Sequence, residues 1–337
     1  MGSPQLTDHA ELHGCSCKVG RADLASLLAE TGLDADQEGL LFGVGEDAAA
    51  RKLTDDLALV STIDFFTPVI DDPYDFGRVA ACNAASDAFA TGAVDGLSAL
   101  CVLGLPRDLT GVAAGVLAGI TDAIEGMDGV VAGGHTVLNP WPLAGAAVDA
   151  VAPPDALLTA DGAQPGDRLY LTKPLGTQPA MGALRVRDGE FADLVCETAT
   201  REVGTVGEEA LSWMTTPNRA AARAVRAVGV SAATDVTGFG LAGQAAVMAE
   251  RAGVGIEIGT LPVIDGTPEL SALFGYGLDD GESAETSGGL LVAVSDDRAG
   301  DLEGAFAERE VFCRHVGTVR EGSGVSLDGA TIEPVRR

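Results

Sequence analysis

The run LALVSTIDFF, which spans Leu57–Phe66, indicates the fold class of this chain. Its β-branched and aromatic residues predict a buried strand, and a carboxylate, Asp64, lies near the end of that strand. The stretch that follows, Asp75–Gly92, has apolar residues at helical spacing, with Asn83 and Asp87 four positions apart and therefore on one helix face. A strand that ends beside a carboxylate and a helix with two polar groups on one stripe together indicate a functional site.

The same alternation of strands and helices continues along the chain. The next segments are a strand at 98–106, a helix at Leu109–Glu125, a strand and turn at 129–137 and a strand at 143–152. A polar linker with proline and glycine, Ala160–Asp167, precedes a second alternation that begins at Arg168. We therefore predict an α/β protein with a mobile, cysteine-containing arm at 1–45, an N-terminal domain at 46–157 and a C-terminal domain at 158–337.

The amino-acid composition limits the classes of molecule that this protein is expected to bind. The 337 residues include 50 acidic and 21 basic side chains, a net charge of −29 that disfavours nucleic acid as a partner. A globular protein with this much like charge predicts a cytoplasm with molar salt, in which electrostatic screening shortens to about 3 Å. The N-terminus contains no apolar leader, and no run approaches the roughly 20 apolar residues that cross a membrane. We therefore expect a cytoplasmic protein without a membrane partner.

The sharpest local signal is the pair Cys15 and Cys17, followed directly by Lys18. A fixed positive charge beside a cysteine lowers the pKa of its thiol, so this pair can attack or bind a soft, reduced chalcogen. Two other interpretations remain open. The pair can be part of a metal site, although a structural zinc needs two further ligands, or it can be a redox-active dithiol.

Several carboxylates are candidates for a cation or nucleotide site. They are Glu46 and Asp47 between glycines and small apolar residues, Asp64 and Asp87 in apolar segments, and Asp235 in Thr-Asp-Val-Thr-Gly-Phe-Gly. Mg²⁺ prefers oxygen ligands and is held in nucleotide sites by a few carboxylates, so Asp47, Asp87 and Asp235 together suit it. The alternatives are a solvated pair at 46–47 and caps of turns or helices, with Asp235 capping a helix that starts near residue 237.

Glycine-rich segments can supply backbone N–H groups to phosphates. Two such segments, Gly133–Thr136 and Thr286–Gly289, are candidate phosphate-binding turns. The chain contains no Walker A pattern, so a nucleotide site must be of another kind. We interpret His135 as a neighbour of the nucleotide and not as a catalytic base.

Taken in order along the chain, these motifs resemble those of the selenophosphate synthetase (selenide, water dikinase) family nearly end to end. The matching strings are Gly-Cys-Ser-Cys-Lys, Glu-Asp-Ala-Ala, Thr-Ile-Asp-Phe-Phe, Asn-Ala-x-Ser-Asp, Gly-Gly-His-Thr, Leu-Thr-Lys-Pro-Leu-Gly, Thr-Asp-Val-Thr-Gly-Phe-Gly and Thr-Ser-Gly-Gly-Leu. The resemblance implies the aminoimidazole ribonucleotide synthetase-like fold, in which the N-terminal domains of a homodimer form a barrel and the C-terminal domain is an α/β sandwich. It also implies that ATP, selenide and water give selenophosphate, AMP and phosphate, with Mg²⁺ and K⁺ as cofactors.

The resemblance also implies roles for single residues. Cys15 matches the family's catalytic cysteine, which handles selenide, and Lys18 matches the residue that neutralises phosphate charge during transfer. The family's Mg²⁺-binding aspartates correspond to Asp47, Asp87 and Asp235. The positions that contact ATP correspond to Lys18, Glu46, Asp64, Asp87, Gly134, His135 and Thr136.

The chain departs from the family in its C-terminal half. Glu-Ser-Ala-Glu precedes Thr286 where the family usually has Asp-Pro-Gln, and Thr-Gln-Pro follows Pro-Leu-Gly where the family has another glycine. Two other functions remain open: another ATP-dependent kinase or synthetase of the same superfamily, which the Cys-x-Cys-Lys segment disfavours, and a non-catalytic selenium or metal carrier, which predicts no nucleotide turnover. A selenium-delivery protein is a candidate partner, and the product is expected to supply selenocysteine or selenouridine synthesis.

Overall fold

In the computed structural model, which describes residues 5–31 and 37–337, the chain divides after Leu157 into two units. The first unit is built on a six-stranded sheet with the strand order β1-β2-β3-β6-β4-β5, in which β4 and β5 are parallel and the other pairs antiparallel. Its strands are β1 (Leu40–Phe42), β2 (Ala49–Lys52), β3 (Ala58–Phe66), β4 (Asp95–Leu105), β5 (Val130–Leu138) and β6 (Leu143–Ala152). Its helices are α1 (Arg21–Thr31), α2 (Pro73–Ala90) and α3 (Ala113–Gly126).

Helix α2 packs against β3 and β6, and its start is encoded locally. The side chain of Asp72 accepts a hydrogen bond from Asp75 N at 2.9 Å, and Pro73 occupies the first turn. Many of its following residues are alanine, and the residues from Phe76 to Ala90 are mostly buried. The helix that the sequence predicts at 75–92 is therefore confirmed, with its polar stripe turned toward the sheet.

Glycines allow α2 and α3 to pack in direct backbone contact. A Cβ atom on Gly77 would lie 2.1 Å from Val116 O, and a Cβ atom on Gly119 would lie 1.9 Å from Tyr74 O. Both distances are far shorter than any real contact of a Cβ atom, so only glycine fits at either position. This close packing fixes α2 against the first sheet.

The face of the first sheet opposite α2 exposes apolar side chains. Ile63 and Phe65 of β3, Leu100 of β4 and Val137 of β5 are between 44% and 59% exposed. The register of the strands places these residues on one face, because alternate residues of a strand point to opposite sides. An exposed apolar face of this kind is a candidate interaction surface.

The second unit also combines helices with a mixed sheet. Its larger sheet has the order β13-β9-β12-β7-β11-β8, and β10 and β14 form a separate parallel pair. The strands are β7 (Arg168–Leu171), β8 (Ala232–Asp235), β9 (Gly255–Ile258), β10 (Thr260–Ile264), β11 (Leu290–Val294), β12 (Arg314–Arg320), β13 (Gly324–Ser326) and β14 (Thr331–Val335). The helices are α4 (Thr177–Val186), α5 (Ala192–Thr198), α6 (Val203–Met214), α7 (Arg219–Val228), α8 (Gly240–Ala252), α9 (Thr267–Phe274) and α10 (Ala299–Ala307).

The predicted turn at 133–136 is wrong, because these residues belong to β5. They pair with Leu100–Leu103 of β4 after a one-residue shift in register at Ala99. Glycine is needed at Gly134 for close packing, since a Cβ atom there would lie 2.2 Å from Cys101 O. The sequence alone cannot distinguish such a glycine from one that forms a turn.

The alternative in which Asp235 caps a helix is also wrong. Helix α8 begins at Gly240, with Phe239 at the N-cap position and no side-chain hydrogen bond to its first turn. Asp235 instead belongs to β8 and pairs with Leu290 of β11. Gly240, the first residue of α8, has a φ of 66°, in the left-handed region that favours glycine.

One helical stretch, Arg107–Gly126, is long and apolar enough to cross a membrane by length and composition alone, with a mean hydropathy of 1.2. It consists of a 3-10 turn, Arg107–Val112, followed by α3. Because α3 buries Val116, Ile120 and Ile124 and packs against α2, it has the contacts of a core helix.

Candidate active site

The N-terminal arm places the Cys-x-Cys-Lys segment against the first sheet. Gly14 N donates a hydrogen bond to Thr67 O at 3.0 Å, and Thr7 Oγ1 donates one to Asp71 at 2.8 Å. Gly14 has a φ of 59°, in the left-handed region that favours glycine, and the 3-10 turn Cys15–Cys17 follows directly. The arm is therefore joined to the residues that follow β3, and the two cysteines lie inside the first unit.

Four side chains form a continuous series of hydrogen bonds. Cys15 is 1% exposed, and its Sγ donates to Asn83 Oδ1 at 3.3 Å. Asn83 Nδ2 donates to Asp64 Oδ2 at 2.5 Å, and Lys18 Nζ donates to the same carboxylate oxygen at 2.7 Å. The structure thus brings together Cys15, Lys18 and Asp64, three of the residues that the sequence predicts for the site.

Lys18 is held in its charged form by its neighbours. Burial alone would lower its pKa, but Cys15 in its ionised form, the carboxylates of Asp64 and Asp87 and the hydrogen bond to Asp64 outweigh burial and raise the pKa above its ordinary value. The Lys18 side chain is 34% exposed, whereas that of Asp64 is 7% exposed. The ammonium group therefore lies between a buried carboxylate and solvent, where a phosphate oxygen can reach it.

Asp87 lies one helical turn after Asn83 on α2 and also faces β3. Its Oδ2 accepts a hydrogen bond from Thr62 Oγ1 of β3 at 2.6 Å. Asn83 and Asp87 therefore project from one face of the helix, as their spacing predicts. The carboxylate of Asp87 contributes to the raised pKa of Lys18, which places it near the same cluster.

Glu46 and Asp47 are half-buried in the connection between β1 and β2. This connection ends at Ala49, which pairs with Ser61 of β3. Glu46 and Asp47 precede Ala49 in the chain, and Ala49 lies beside Ser61, which is next to Thr62 on β3. Their place at this end of the sheet is compatible with a site shared with Asp87.

The residues predicted on β5 lie in the same row of the sheet as Asp64 but three strands away. The row runs from Asp64 through Ala146 of β6 and Cys101 of β4 to Gly134 of β5. Neighbouring strands lie about 4.8 Å apart, so the backbones of Asp64 and Gly134 are separated by about 14 Å. Ala146 and Cys101 are buried between them, and His135 is exposed. The structure therefore does not bring the β5 residues into the Lys18–Asp64 cluster.

Asp235 is the predicted metal ligand that belongs to the second unit. It is 1% exposed at the end of β8, and its backbone oxygen accepts a hydrogen bond from Gln244 Nε2 at 2.8 Å. Within residues 5–31 and 37–337, no group of three or more His, Cys, Asp or Glu side chains is arranged to hold a metal ion. Asp47, Asp87 and Asp235 are thus not a preformed metal cage.

The second unit contains a buried carboxylate that the sequence analysis did not assign. Glu285 is 1% exposed and accepts hydrogen bonds from Gly176 N at 2.7 Å, from Thr177 N at 2.9 Å and from Thr177 Oγ1. Burial raises the pKa of Glu285 to about 7, and the three hydrogen bonds oppose that shift. The departure from the family at 282–285 was the signal in the sequence that marked this position.

The candidate phosphate-binding segment at 286–289 makes contacts within its own unit. Thr286 N donates a hydrogen bond to Thr177 Oγ1 at 3.1 Å, and the buried Lys173 donates one from Nζ to Ser287 O at 2.7 Å. Asn218 Nδ2 donates to Gly288 O at 2.8 Å. These bonds join the segment to the start of α4 and to the residues before α7, so that its conformation is fixed from two sides.

Cys17 differs from Cys15 in its surroundings. Cys17 is half-buried and lines a cavity of about 450 Å³ together with Leu12, Thr67 and Trp141. All six cysteines are free thiols. A reagent that enters from solvent therefore reaches Cys17 before Cys15.

Two family descriptions match the chain, one for each unit. "AIR synthase related protein, N-terminal domain" matches residues 45–151, and "AIR synthase related protein, C-terminal domain" matches residues 164–329. Together they cover most of the sequence.

Curated relatives match over nearly the whole length. "Selenide, water dikinase" of Methanococcus maripaludis is 41% identical over 331 residues, which cover 96% of this chain and 98% of the relative. The protein of the same name from Methanocaldococcus jannaschii is 40% identical over 334 residues, with 96% and 95% covered. "Selenide, water dikinase 3" of Danio rerio is 35% identical over 332 residues, with 88% and 74% covered.

Solved structures share the fold at lower sequence identity. "AaThiL complexed with AMPPCP and TMP" has a TM-score of 0.69 and 22% identity, with 94% of this chain and 95% of that chain covered. The HypE–HypF complex has a TM-score of 0.68 and 18% identity, with 91% and 96% covered. These similarities confirm the predicted aminoimidazole ribonucleotide synthetase-like fold of two α/β domains.

Proposed function

The chain belongs to the selenide, water dikinase family, and from this premise we propose that its first unit activates selenide at the cluster of Cys15, Asn83, Asp64 and Lys18. The enzyme is a phosphotransferase that makes selenophosphate, with AMP and phosphate as the other products of ATP. The observation that supports the site is the series of hydrogen bonds that joins a buried cysteine to a half-exposed lysine.

Lys18 is the cation for the transferred phosphoryl group. Asp64 holds the ammonium in place, so little motion is needed when a phosphate oxygen arrives, and a positioned charge stabilises a phosphoryl-transfer transition state. Selenide attacks the γ-phosphorus, the bond from that phosphorus to the bridging oxygen breaks, and ADP leaves. Hydrolysis of the ADP at the same site then gives AMP and phosphate. Cys15, beside Asn83, is the group that handles selenide.

Mg²⁺ is the cation that suits the carboxylates around this cluster. Mg²⁺ is usually bound by one or two protein carboxylates together with phosphate and water oxygens, so a site without a preformed cage still fits it. Asp47 and Asp87 in the first unit would hold it, and it would neutralise charge on the phosphates. We further propose K⁺ as a monovalent cofactor on the basis of the family resemblance.

We also propose that the active form is a homodimer in which a second copy completes the ATP site. Gly134, His135 and Thr136 lie on β5 about 14 Å across the sheet from Asp64, at three spacings of about 4.8 Å. The residues between these two positions are buried. Strand β5, in contrast, is an edge strand of the sheet and is exposed. The exposed apolar face that carries Phe65 and Leu100 is the surface that we propose the second copy covers.

The sibling kinases and the carrier are the competing functions. Relatives named selenide, water dikinase are 35–41% identical to this chain, whereas the ThiL and HypE structures are 18–22% identical. The buried Cys15 beside Lys18 and Asp64 favours phosphoryl transfer to a chalcogen. A selenium carrier binds no phosphate and therefore does not require an ammonium group held beside the cysteine.

The proposed reaction is tested by anaerobic incubation of the protein with Mg²⁺-ATP and selenide in concentrated KCl, followed by phosphorus NMR. We expect a selenophosphate resonance together with AMP and phosphate, and no selenophosphate when selenide is left out. ADP as the only product identifies a sibling kinase, and folded protein without turnover identifies a carrier. Either result overturns the proposal.

A further inference from the structure

Asn83 connects the thiol of Cys15 to the ion pair of Lys18 and Asp64. Its side chain is fully buried on α2, with Nδ2 at 2.5 Å from Asp64 Oδ2 and Oδ1 at 3.3 Å from Cys15 Sγ. In the motif Asn-Ala-x-Ser-Asp the proposed mechanism makes Asp87 a Mg²⁺ ligand and includes Asn83 in the cluster without giving it a task of its own. The two ends of the Asn83 amide nevertheless touch two residues of the site.

The orientation of this amide is fixed by chemistry. An ionised carboxylate only accepts hydrogen bonds, so the nitrogen end of the amide must face Asp64 and the oxygen end must face Cys15. An amide oxygen has no proton to donate. The hydrogen bond between Asn83 and Cys15 therefore requires a proton on Sγ, and in this arrangement Cys15 is a thiol.

Lys18 and Asn83 act on this thiol in opposite directions. The ammonium of Lys18 favours the thiolate, because a nearby positive charge lowers the pKa of a cysteine. The amide oxygen of Asn83 favours the thiol, since it binds only the protonated sulfur. The other charged groups of the cluster are the carboxylates of Asp64 on β3 and Asp87 on α2, which also disfavour a negative sulfur; His13 and Cys17 are the titratable neighbours along the chain.

We propose that Asn83 is a positioning residue that keeps Cys15 protonated and turned toward α2 in the resting enzyme, an inference that rests on the proposed role of Cys15 in handling selenide. A thiol reacts far more slowly than a thiolate with oxidants and alkylating agents. The arrangement therefore protects the cysteine that the reaction needs. Cys15 ionises when its hydrogen bond to Asn83 breaks.

The test is the pH dependence of Cys15 alkylation in the full chain without substrates. Iodoacetamide treatment followed by peptide mass spectrometry measures Cys15 separately from Cys17. The variant Asn83→Ala removes the acceptor and retains Lys18, so we expect its alkylation midpoint at lower pH than in the wild type. Near neutral pH the rate should rise about five- to tenfold, as expected for the loss of one hydrogen bond of about 1 kcal/mol.

A second variant separates this role from looser packing. Asn83→Asp has nearly the same size and keeps an oxygen toward Cys15, and its carboxyl group shares a proton with the adjacent Asp64 carboxylate, so its midpoint should stay at or above that of the wild type. Looser packing would instead speed alkylation in both variants. Because Asn83→Asp retains the volume of the side chain, it still gives a result if Asn83→Ala does not fold.

The matched control is Thr91→Ala, which removes a hydrogen bond from Thr91 Oγ1 to Ala88 O at 2.8 Å at the far end of α2. It should leave the Cys15 midpoint unchanged. The proposal is overturned by an unchanged midpoint in Asn83→Ala or by faster alkylation in both Asn83 variants. The phosphorus NMR assay of the wild type decides the proposed function separately, because alkylation requires no turnover.

Discussion

At the scale of single residues, Cys15 and Cys17 show how one intervening residue changes the environment of a thiol. Cys15 is buried against Asn83, whereas Cys17 lines a cavity that is open to solvent. We expect Cys15→Ser to abolish selenophosphate formation and to retain ATP binding, because the proposed phosphate contact belongs to Lys18. Phosphorus NMR measures the product and isothermal titration calorimetry the affinity for ATP.

Cys17→Ser is the matched control for this substitution. It changes the same atoms two positions away and should retain most of the activity with free selenide. Full activity in Cys15→Ser, or equal losses in both variants, would contradict the different roles assigned to the two cysteines.

Glu285 makes the stability of the second unit depend on pH. Its pKa is about 7 in the folded protein and about 4.5 for the unperturbed group, so the folded state binds the extra proton between these values. This contribution is fully present below pH 4.5 and is lost as the pH rises through 7. At about 1.4 kcal/mol per pKa unit, the free energy of unfolding should fall by at most about 3 kcal/mol.

The substitution Glu285→Gln tests this pH dependence. A glutamine cannot titrate, so the decrease in the free energy of unfolding between mildly acidic and mildly alkaline pH should become smaller. Urea unfolding of both proteins at several pH values measures it. An identical pH dependence in the variant and the wild type would show that Glu285 does not titrate in this range.

The sequence predicted that Cys15, Lys18 and Asp64 are candidate site residues, but it did not predict how they contact one another. The motif containing Cys15 and Lys18 and the position of Asp64 near a strand end were visible in the sequence. The link through Asn83 was not, because it depends on how far α2 lies from β3. Glu285 was visible as a departure from the family, but its burial arises from contacts with residues more than 100 positions away.

At the scale of elements, the contact between α2 and α3 depends on glycine. The substitution Gly119→Ala places a methyl group where Tyr74 O already lies, so the helices must move apart. We expect a loss of about 1–3 kcal/mol in the free energy of unfolding, as for other overpacked sites. Urea unfolding measures the loss.

Gly126→Ala is the control on the same helix, since no atom lies within 4 Å of the Cβ position there. Alanine has the higher helix propensity, so this variant should be as stable as the wild type or slightly more stable. Equal destabilisation by both substitutions would contradict the packing explanation.

Hydrophobic periodicity in the sequence predicts some of the strands and helices well and others poorly. The patterns of β3, α2 and β6 predicted their positions well, because each has one buried face or is buried throughout. Strand β5 was predicted to end in a turn because two glycines follow one another at 133–134. Those glycines instead allow β5 to approach β4, and a single sequence does not distinguish these two uses of glycine.

At the scale of the whole molecule, the proposed dimer predicts complementation between inactive variants. Asp64→Asn affects the cluster on β3, and His135→Ala affects β5. If each site combines β3 of one copy with β5 of the other, a mixed dimer has one intact site. Unfolding and refolding the two variants together should therefore restore activity to about a quarter of the wild type, since about half of random pairs are mixed and each has one working site.

The same two variants refolded separately are the controls and should remain inactive. Size-exclusion chromatography confirms that the mixed sample contains dimers. No recovery of activity in mixed dimers would place Asp64 and His135 in the same copy or in different sites.

The net charge of −29 predicts that folding and assembly depend on salt. Repulsion among the acidic side chains is screened over about 3 Å at 1 M salt and over about 10 Å at 0.1 M. The thermal midpoint should therefore rise from dilute to molar KCl. A midpoint that is independent of KCl would contradict the proposed adaptation to a saline cytoplasm.

The exposed apolar face and the edge strand β5 affect how a newly synthesised chain assembles in the cell. An uncovered strand edge accepts any extended chain that reaches it, so a newly made copy is exposed to wrong pairing until its partner arrives. Mutual repulsion of the acidic copies slows every such encounter, correct or incorrect, and salt weakens that barrier. The rate of synthesis and the ionic strength together should therefore determine what fraction of new chains matures and what fraction is lost to aggregation.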